Sequence, residues 1–511
     1  MTVHTWADLT APVERRCDVC VIGSGAGGAV VAAGLAAAGL SVVMVEEGSR
    51  VTRRDFTLQE GDAFPLLYQE RGTRATADLA ITVLQGRSVG GSTTINWTTC
   101  FRTPDRILDH WRSAHGLEAL APAELAPHFD AVEARLNIGT WPEETANPNN
   151  RVLLDGARRL GWDVAPLRRN VKGCANSGYC GVGCPVDGKQ AMGITYVQDA
   201  LAAGMELFAN VRCEGLEVEA GRVVAVRGRV MSPTAGRPDG EAVVIRPKVC
   251  VVAGGAINTP ALLLRSGITA GGRVGRRTFL HPVVGMFGRF RQPIEPYFGA
   301  PQSIGSHQHI DRGPDRYGFF LEAAPLQPML AAVAFPGFGA MLHELMGQLP
   351  HAAATIALSV DGLLPGDEGG TVSLKADGRP QLDYPVSDAL AESFRASHVA
   401  LARLHLAAGC ELTASLHPEA RVVKSEADLA ALESAPYGAH QHAIFSAHQM
   451  GGASMGRSAE TSVVGPDHRS WEVANLFVVD GSVLPTALGV NPSETIYGLA
   501  RRAVAFVGAA V

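Results

Sequence analysis

His448 stands one step before Gln449-Met450-Gly451-Gly452, and Asp480-Gly481-Ser482 and Asn491-Pro492 follow it toward the C-terminus. An imidazole titrates near neutral pH, so it can take and return a proton, and a nearby amide can bond an oxygen. These residues form a candidate base and polar partner in need of a second reactant. The other end of the chain offers one. In Gly23-Ser24-Gly25-Ala26-Gly27-Gly28, the glycines Gly23, Gly25 and Gly28 permit a tight turn and close backbone approach to a pyrophosphate. Ala26 belongs to the same turn, and the helix behind it supplies unpaired N–H groups and a positive dipole end. Glu46 closes the next apolar run, where an acidic residue bonds the ribose hydroxyls of an adenosine. A glycine-rich turn alone could bind nothing. Strand, helix and acid in register point to a dinucleotide, with NAD and FAD both open.

Positioning these groups requires a particular arrangement of elements. Residues 17–48 read as strand, turn, helix, strand, with Gly39 placed to stop the helix, which is the order of a βαβ unit. A second buried strand is expected at 249–253, running into Gly254-Gly255 and a helix near 259–265, and a third at 476–480. Three such strands from distant parts of the chain predict one discontinuous cofactor domain. Between them, 319–321, 354–360 and 371–374 look like short strands of an antiparallel sheet, with Asp377-Gly378 as a turn. Residues 389–408 read as one long helix whose face is Leu390, Phe394, His398, Leu401 and His405.

Composition narrows the class. With 511 residues, 46% hydrophobic and 18% charged, the chain is globular and long enough for two domains. A net charge of −6 without a basic run excludes the electrostatic footprint of a nucleic-acid binder. Residues 1–16 contain no apolar signal core, and no apolar run reaches the roughly 20 residues of a spanning helix. A cytoplasmic location is the expectation, with the nine cysteines serving as thiols or ligands rather than a disulfide framework. The segment 326–346, rich in Leu, Met, Ala and Phe, is either core or a mobile entrance lid in peripheral contact with a membrane.

Three further segments carry a family resemblance. Gly86-Arg87-Ser88-Val89-Gly90-Gly91-Ser92-Thr93-Thr94-Ile95-Asn96, Ala253-Gly254-Gly255-Ala256-Ile257-Asn258-Thr259-Pro260, and the C-terminal set from His448 to Pro492 occur in the order found in glucose–methanol–choline (GMC) oxidoreductases. The chain resembles this family of FAD-dependent alcohol oxidases and dehydrogenases over nearly its whole length. Phe279-Leu280-His281-Pro282, Lys189-Gln190 and Trp471-Glu472-Val473 are most similar to its long-chain fatty alcohol oxidase branch. The resemblance implies an α/β fold: a Rossmann-type FAD-binding domain with a parallel sheet, plus an α+β substrate domain built on an antiparallel sheet. The expected division is 1–291 for FAD, with a Cys-rich loop at 173–190; 292–440 for substrate; and 441–511 returning to the FAD domain with the catalytic residues. Gly90, Gly91 and Asn96 are expected on the flavin side. Asp480 and Gly481 belong near the pyrophosphate and ribityl chain, Val211 near the adenine through its backbone, and Pro492 among the cofactor contacts.

Some relatives attach flavin covalently to a histidine just before the position of Asn96. Here that residue is Ile95, so FAD is expected to be non-covalent. The resemblance makes His448 the base, in preference to its neighbours His440 and His442, and Asn491 the partner that bonds the substrate oxygen. The implied reaction oxidises an apolar, long-chain primary alcohol to a carbonyl, with O2 or another electron acceptor closing the cycle. A sterol or cyclic secondary alcohol oxidase, and a lyase or decarboxylase on the same fold, are the competing readings. Cys174, Cys180 and Cys184 sit among glycines with Pro185 after the last, a pattern that fits either iron–sulfur ligands or a structural turn. A fourth ligand is not evident, which favours the turn.

Overall fold

The apolar residues at 19–22 form the inner half of a strand, Val13–Ile22, at the centre of a parallel sheet. The computed structural model describes residues 2–234 and 236–511. Across the sheet the order is Thr2–His4, Glu206–Ala209, Val42–Glu46, Val13–Ile22 and Ala242–Val252; Arg222–Val230 and Val211–Glu219 then continue it antiparallel. Leu476–Val478 pairs in parallel with the end of Ala242–Val252, placing Leu476 opposite Cys250. The three strands expected from distant parts of the chain are therefore neighbours. Their Val- and Ile-rich composition suits strands covered on both faces. Helix Ala26–Ala37 is buried on nearly every side, packed against Tyr196–Ala202 and the C-terminal helix Ser493–Ala509. It stops before Gly39, whose φ of 84° is readily available only to glycine.

The second sheet has nine strands. Val283–Arg289 lies in its middle, antiparallel to Ala352–Ser359 on one side and Leu412–Ser415 on the other, and Phe319–Ala323 extends it. Helix Asp388–Ala408 packs against these strands, with Ser387 capping its N-terminus and Gly409 at φ 92° ending it. Leu390, Phe394, His398, Leu401 and His405 are all buried, as their spacing requires.

Two expectations need correcting. Val283–Arg289 pairs within the substrate sheet, although it precedes the boundary drawn at 291. Its glycines disguise it, and at least one is dictated by packing: a Cβ on Gly288 would lie 2.9 Å from Nδ1 of His405. Thr371–Leu374 does not join the large sheet. It pairs with Pro380–Asp383 in a separate hairpin against helix Gly255–Arg265. The tight Asp377-Gly378 turn hands it the nearest partner, and alternation alone does not specify which strand it pairs with. In the C-terminal segment, Ile444–Ser446 bridges Ile81–Val83 to Val283, and Leu476–Val478 joins the cofactor sheet. His448 thus lies on the seam between the two sheets.

Candidate active site

At that seam a cavity of about 460 Å³ runs from the first glycine turn to His448. Its wall includes Gly23, Gly25, Ala26, Glu46, Gly91, Asn96, Val211, His448, Asp480, Gly481, Asn491 and Pro492. Of the expected contacts, Gly28 and Gly90 are not on the wall. Gly28 is held behind it by packing, since a Cβ there would meet the Gly23 carbonyl oxygen at 1.9 Å. Gly90 shapes its loop through a φ of 101°, and Gly193 lies against it. Gly27 was not singled out by the sequence, yet a Cβ on it would come 1.7 Å from the Val479 oxygen. This glycine allows the strand from the C-terminal end to approach the turn.

Both carboxylate oxygens of Glu46 accept hydrogen bonds, Oε2 from Ser24 N (2.9 Å) and Oγ (2.7 Å), and Oε1 from Gly48 N (2.7 Å). Asp480 is similarly engaged. Oδ2 accepts from Gly255 N (2.8 Å) and Thr259 Oγ1 (2.5 Å), and Oδ1 from Ser482 N (2.8 Å). Burial raises the Asp480 carboxyl, and these donors draw it back down. Its carboxylate therefore ties the 253–259 loop to the C-terminal segment on the cavity wall. The fit to FAD rests on this wall: a glycine turn opening a helix, the first turn of Ser493–Ala509 at the opposite side, and two unsatisfied amide oxygens. The oxygens are Oδ1 of Asn96 and Oδ1 of Asn491, both buried without a partner, and a cofactor or substrate carrying N–H and O–H groups would satisfy them.

The candidate base is well defined. Asn491 Nδ2 lies 3.3 Å from His448 Nε2, so the amide donates and Nε2 presents its lone pair. The ring proton then sits on Nδ1 and is donated to Nδ1 of His281, 3.1 Å away. Burial pushes His448 down to about 4, keeping it neutral at pH 7 and ready to accept a proton. His281 is fully buried, at φ 50°, and Asp361 holds it there: Oδ1 accepts from His281 N (3.0 Å), and Oδ2 from Leu280 N (2.8 Å) and Tyr384 OH (2.6 Å). Burial raises Asp361 only to about 6, so it is ionised at neutral pH. Beyond Asn491 lies Glu322, whose carboxyl faces the amide and accepts from Gln302 Nε2 at 2.8 Å. Burial raises Glu322 to about 8, which leaves it protonated at pH 7. The roles of His281, Asp361 and Glu322 are not evident in the sequence. His281 was visible only as part of the Phe279-Leu280-His281-Pro282 segment.

The cysteines are not gathered as ligands. Cys174 Sγ accepts from Asn176 N (3.4 Å), Cys184 Sγ from Lys189 N (3.5 Å), and Cys180 Sγ lies 3.9 Å from the Arg169 guanidinium. Among the described residues no group of three or more His, Cys, Asp or Glu is arranged to hold a metal ion. The iron–sulfur expectation is corrected accordingly: each sulfur is turned to its own neighbourhood, as in a structural turn. The segment 326–346 forms two short helices, Pro328–Ala334 and Ala340–Gly347, and contributes nothing to the cavity wall. Ala331 and Phe335 are buried, whereas Val333 is 78% and Phe338 89% exposed, so it is neither plain core nor part of the pocket. Among the described residues no helix is long and apolar enough to cross a membrane.

Comparison with known proteins agrees with this geometry. Residues 64–283 and 365–500 match the two family models described as GMC oxidoreductase. An uncharacterized GMC-type oxidoreductase of Mycobacterium tuberculosis is 33% identical over 98% of this chain and 77% of its own length. Long-chain-alcohol oxidase FAO4A of Arabidopsis thaliana is 31% identical over 97% of this chain and 69% of its own. In fold, pyridoxine 4-oxidase from Mesorbium loti superposes with a TM-score of 0.70 at 19% identity, covering 96% of this chain and 99% of that one. Formate oxidase of Aspergillus oryzae gives 0.71 at 16% identity, covering 97% and 99%. The chain belongs to the GMC oxidoreductase family and is an FAD-dependent oxidoreductase acting on CH–OH donors.

Proposed function

We propose that this protein oxidises an apolar primary alcohol of the long-chain type to its carbonyl, with non-covalent FAD and with O2 or another electron acceptor. The observation that carries the reading is the His448–Asn491 pair on the cavity wall, with the base lone pair on Nε2. FAD, when bound, supplies the acceptor for the hydride that leaves the carbinol carbon. The hydroxyl proton passes to His448 Nε2, and Asn491 Nδ2 hydrogen-bonds the same oxygen as its charge grows. His281 accepts from His448 Nδ1 throughout, fixing the tautomer and the ring plane and steadying the imidazolium once the proton has arrived. Asp361 orients His281 through its backbone rather than its ring. Behind Asn491 lies the buried carboxyl of Glu322. Ile95 offers no nucleophile for a flavin linkage.

The choice of substrate class is supported by two Arabidopsis relatives named long-chain-alcohol oxidases, 31% and 30% identical. The test is an anaerobic screen for flavin bleaching across alcohols of increasing chain length and across cyclic alcohols. Long primary alcohols should bleach fastest, and faster bleaching by sterols would overturn the substrate assignment. In His448→Ala the rate should fall by about 10²–10⁴ with FAD still bound. Near-normal bleaching in that variant would remove His448 from the mechanism.

A further inference from the structure

Behind the cavity loop at 94–99 lie two buried cations that no carboxylate neutralises. Lys189 is 3% exposed, and its Nζ donates to the carbonyl oxygens of Thr94 (2.5 Å), Cys180 (2.7 Å) and Asn96 (3.0 Å). Arg169 is fully buried; its guanidinium lies 4.9 Å from the centre of the Trp141 ring and reaches the Trp97 carbonyl at 3.3 Å. Among the described residues neither forms an ion pair with Asp or Glu, and Nε and Nη1 of Arg169 have no hydrogen-bond partner. The charged neighbour of Lys189 is Arg169, and the titratable groups beside it are the thiols Cys180 and Cys184.

Burying a charge without a counter-charge costs several kcal/mol, and three carbonyl dipoles recover only part of it for Lys189. An arrangement of this kind is sustained where negative charge arrives from elsewhere. The carbonyls that hold Lys189 belong to the Thr94–Asn96 backbone, and Ile95, Asn96 and Trp97 form the cavity wall. Nζ is therefore separated from the cavity by the thickness of one loop. The reaction separates charge within that cavity: the hydride would bring negative charge to the cofactor beside this loop, while the hydroxyl proton goes to His448.

We propose that Lys189, backed by Arg169, is an electrostatic positioning group that raises the reduction potential of the bound flavin. The Cys-rich loop acquires a purpose in this arrangement, because the Cys180 carbonyl it presents completes the seat of the ammonium. The proposal rests on the FAD reading above.

The test is the two-electron midpoint potential of the bound flavin, measured by anaerobic titration against a reference dye, with FAD content determined on the same samples. Lys189→Met should lower the potential so that the reduced-to-oxidised ratio at a fixed potential falls at least tenfold, about 30 mV for two electrons. Lys189→Arg, which keeps the charge, should stay close to wild type. Arg169→Gln, which removes the second cation under the same loop, should shift the potential in the same direction. Full FAD content with an unchanged potential in Lys189→Met overturns the proposal. If that variant loses FAD, an unchanged potential in Arg169→Gln overturns it instead. Wild-type protein that takes up no FAD would sink the cofactor reading itself, an outcome distinct from either.

Discussion

Around His448, chemistry is set by which groups are neutral. Burial has moved a histidine down and a glutamate up, so at pH 7 His448 is an uncharged base and Glu322 an uncharged acid, a few side chains apart. Each shift has a measurable consequence. His448 is lowered from 6.5 to about 4, so it stays neutral until the pH approaches 4. Flavin reduction by a fixed alcohol concentration should therefore fall about tenfold per unit only below pH 4, apart from any smaller step near 6 where Asp361 takes up its proton. A continuous tenfold-per-unit fall that starts at 6.5 in a rapid pH-jump measurement would contradict the shifted base. For Glu322 the folded value of about 8 exceeds the ordinary 4.5. Between those values the folded chain holds a proton that the unfolded chain releases, so stability declines as pH rises through the window. Glu322→Gln removes this decline. Its melting temperature should match wild type near pH 5 and exceed it by a growing margin toward pH 8, and a margin independent of pH would show the carboxyl to be ionised in both states. His448 and Asn491 were legible in the sequence because a short motif surrounds each. Glu322 was not, since within Phe319–Ala323 nothing in the pattern marks it as buried behind Asn491 rather than facing water. The role of His281 was hidden for a different reason: it depends on a left-handed backbone and on Asp361, eighty positions away.

Among the elements, the glycine turn and the C-terminal segment are built against each other. Gly27 is the tightest point of contact, with room for no Cβ beside the Val479 carbonyl. Gly27→Ala should therefore push Leu476–Val478 away from the sheet and take Asp480 out of register with Gly255 and Thr259. The expected result is a protein with little FAD and a melting temperature lowered by several degrees, read by flavin absorbance and by calorimetry. Normal FAD content would mean that the segment has more freedom than its contacts imply. The βαβ unit was legible from the sequence because apolar runs, a glycine turn and a stop glycine mark each boundary. The hairpin of Thr371–Leu374 with Pro380–Asp383 was not, because short alternating strands fit many partners and only local turn geometry chooses between them.

Over the whole molecule, two sheets meet along one cavity, and the residues that line it come from both ends and the middle of the chain. The wall at Ile95 carries no side chain able to bond a flavin, so acid precipitation should release intact FAD into the supernatant. Colour remaining on the pellet would show a covalent attachment elsewhere on the wall. The order of the family segments made the global arrangement readable in advance. The place of Val283–Arg289 was obscured because its glycines answer to the helix packed across them rather than to the strand itself.

The strand Ala242–Val252 takes Val13–Ile22 along one edge and, late in the chain, Leu476–Val478 along part of the other. During synthesis its inner half waits with one edge open while more than two hundred further residues leave the ribosome. At about 5–20 residues per second that interval lasts tens of seconds. The flavin sheet is consequently a late event in the life of the chain. Cofactor capture should follow translation of the C-terminal segment, and the exposed Val251–Val252 edge is where a chaperone would be needed in the meantime.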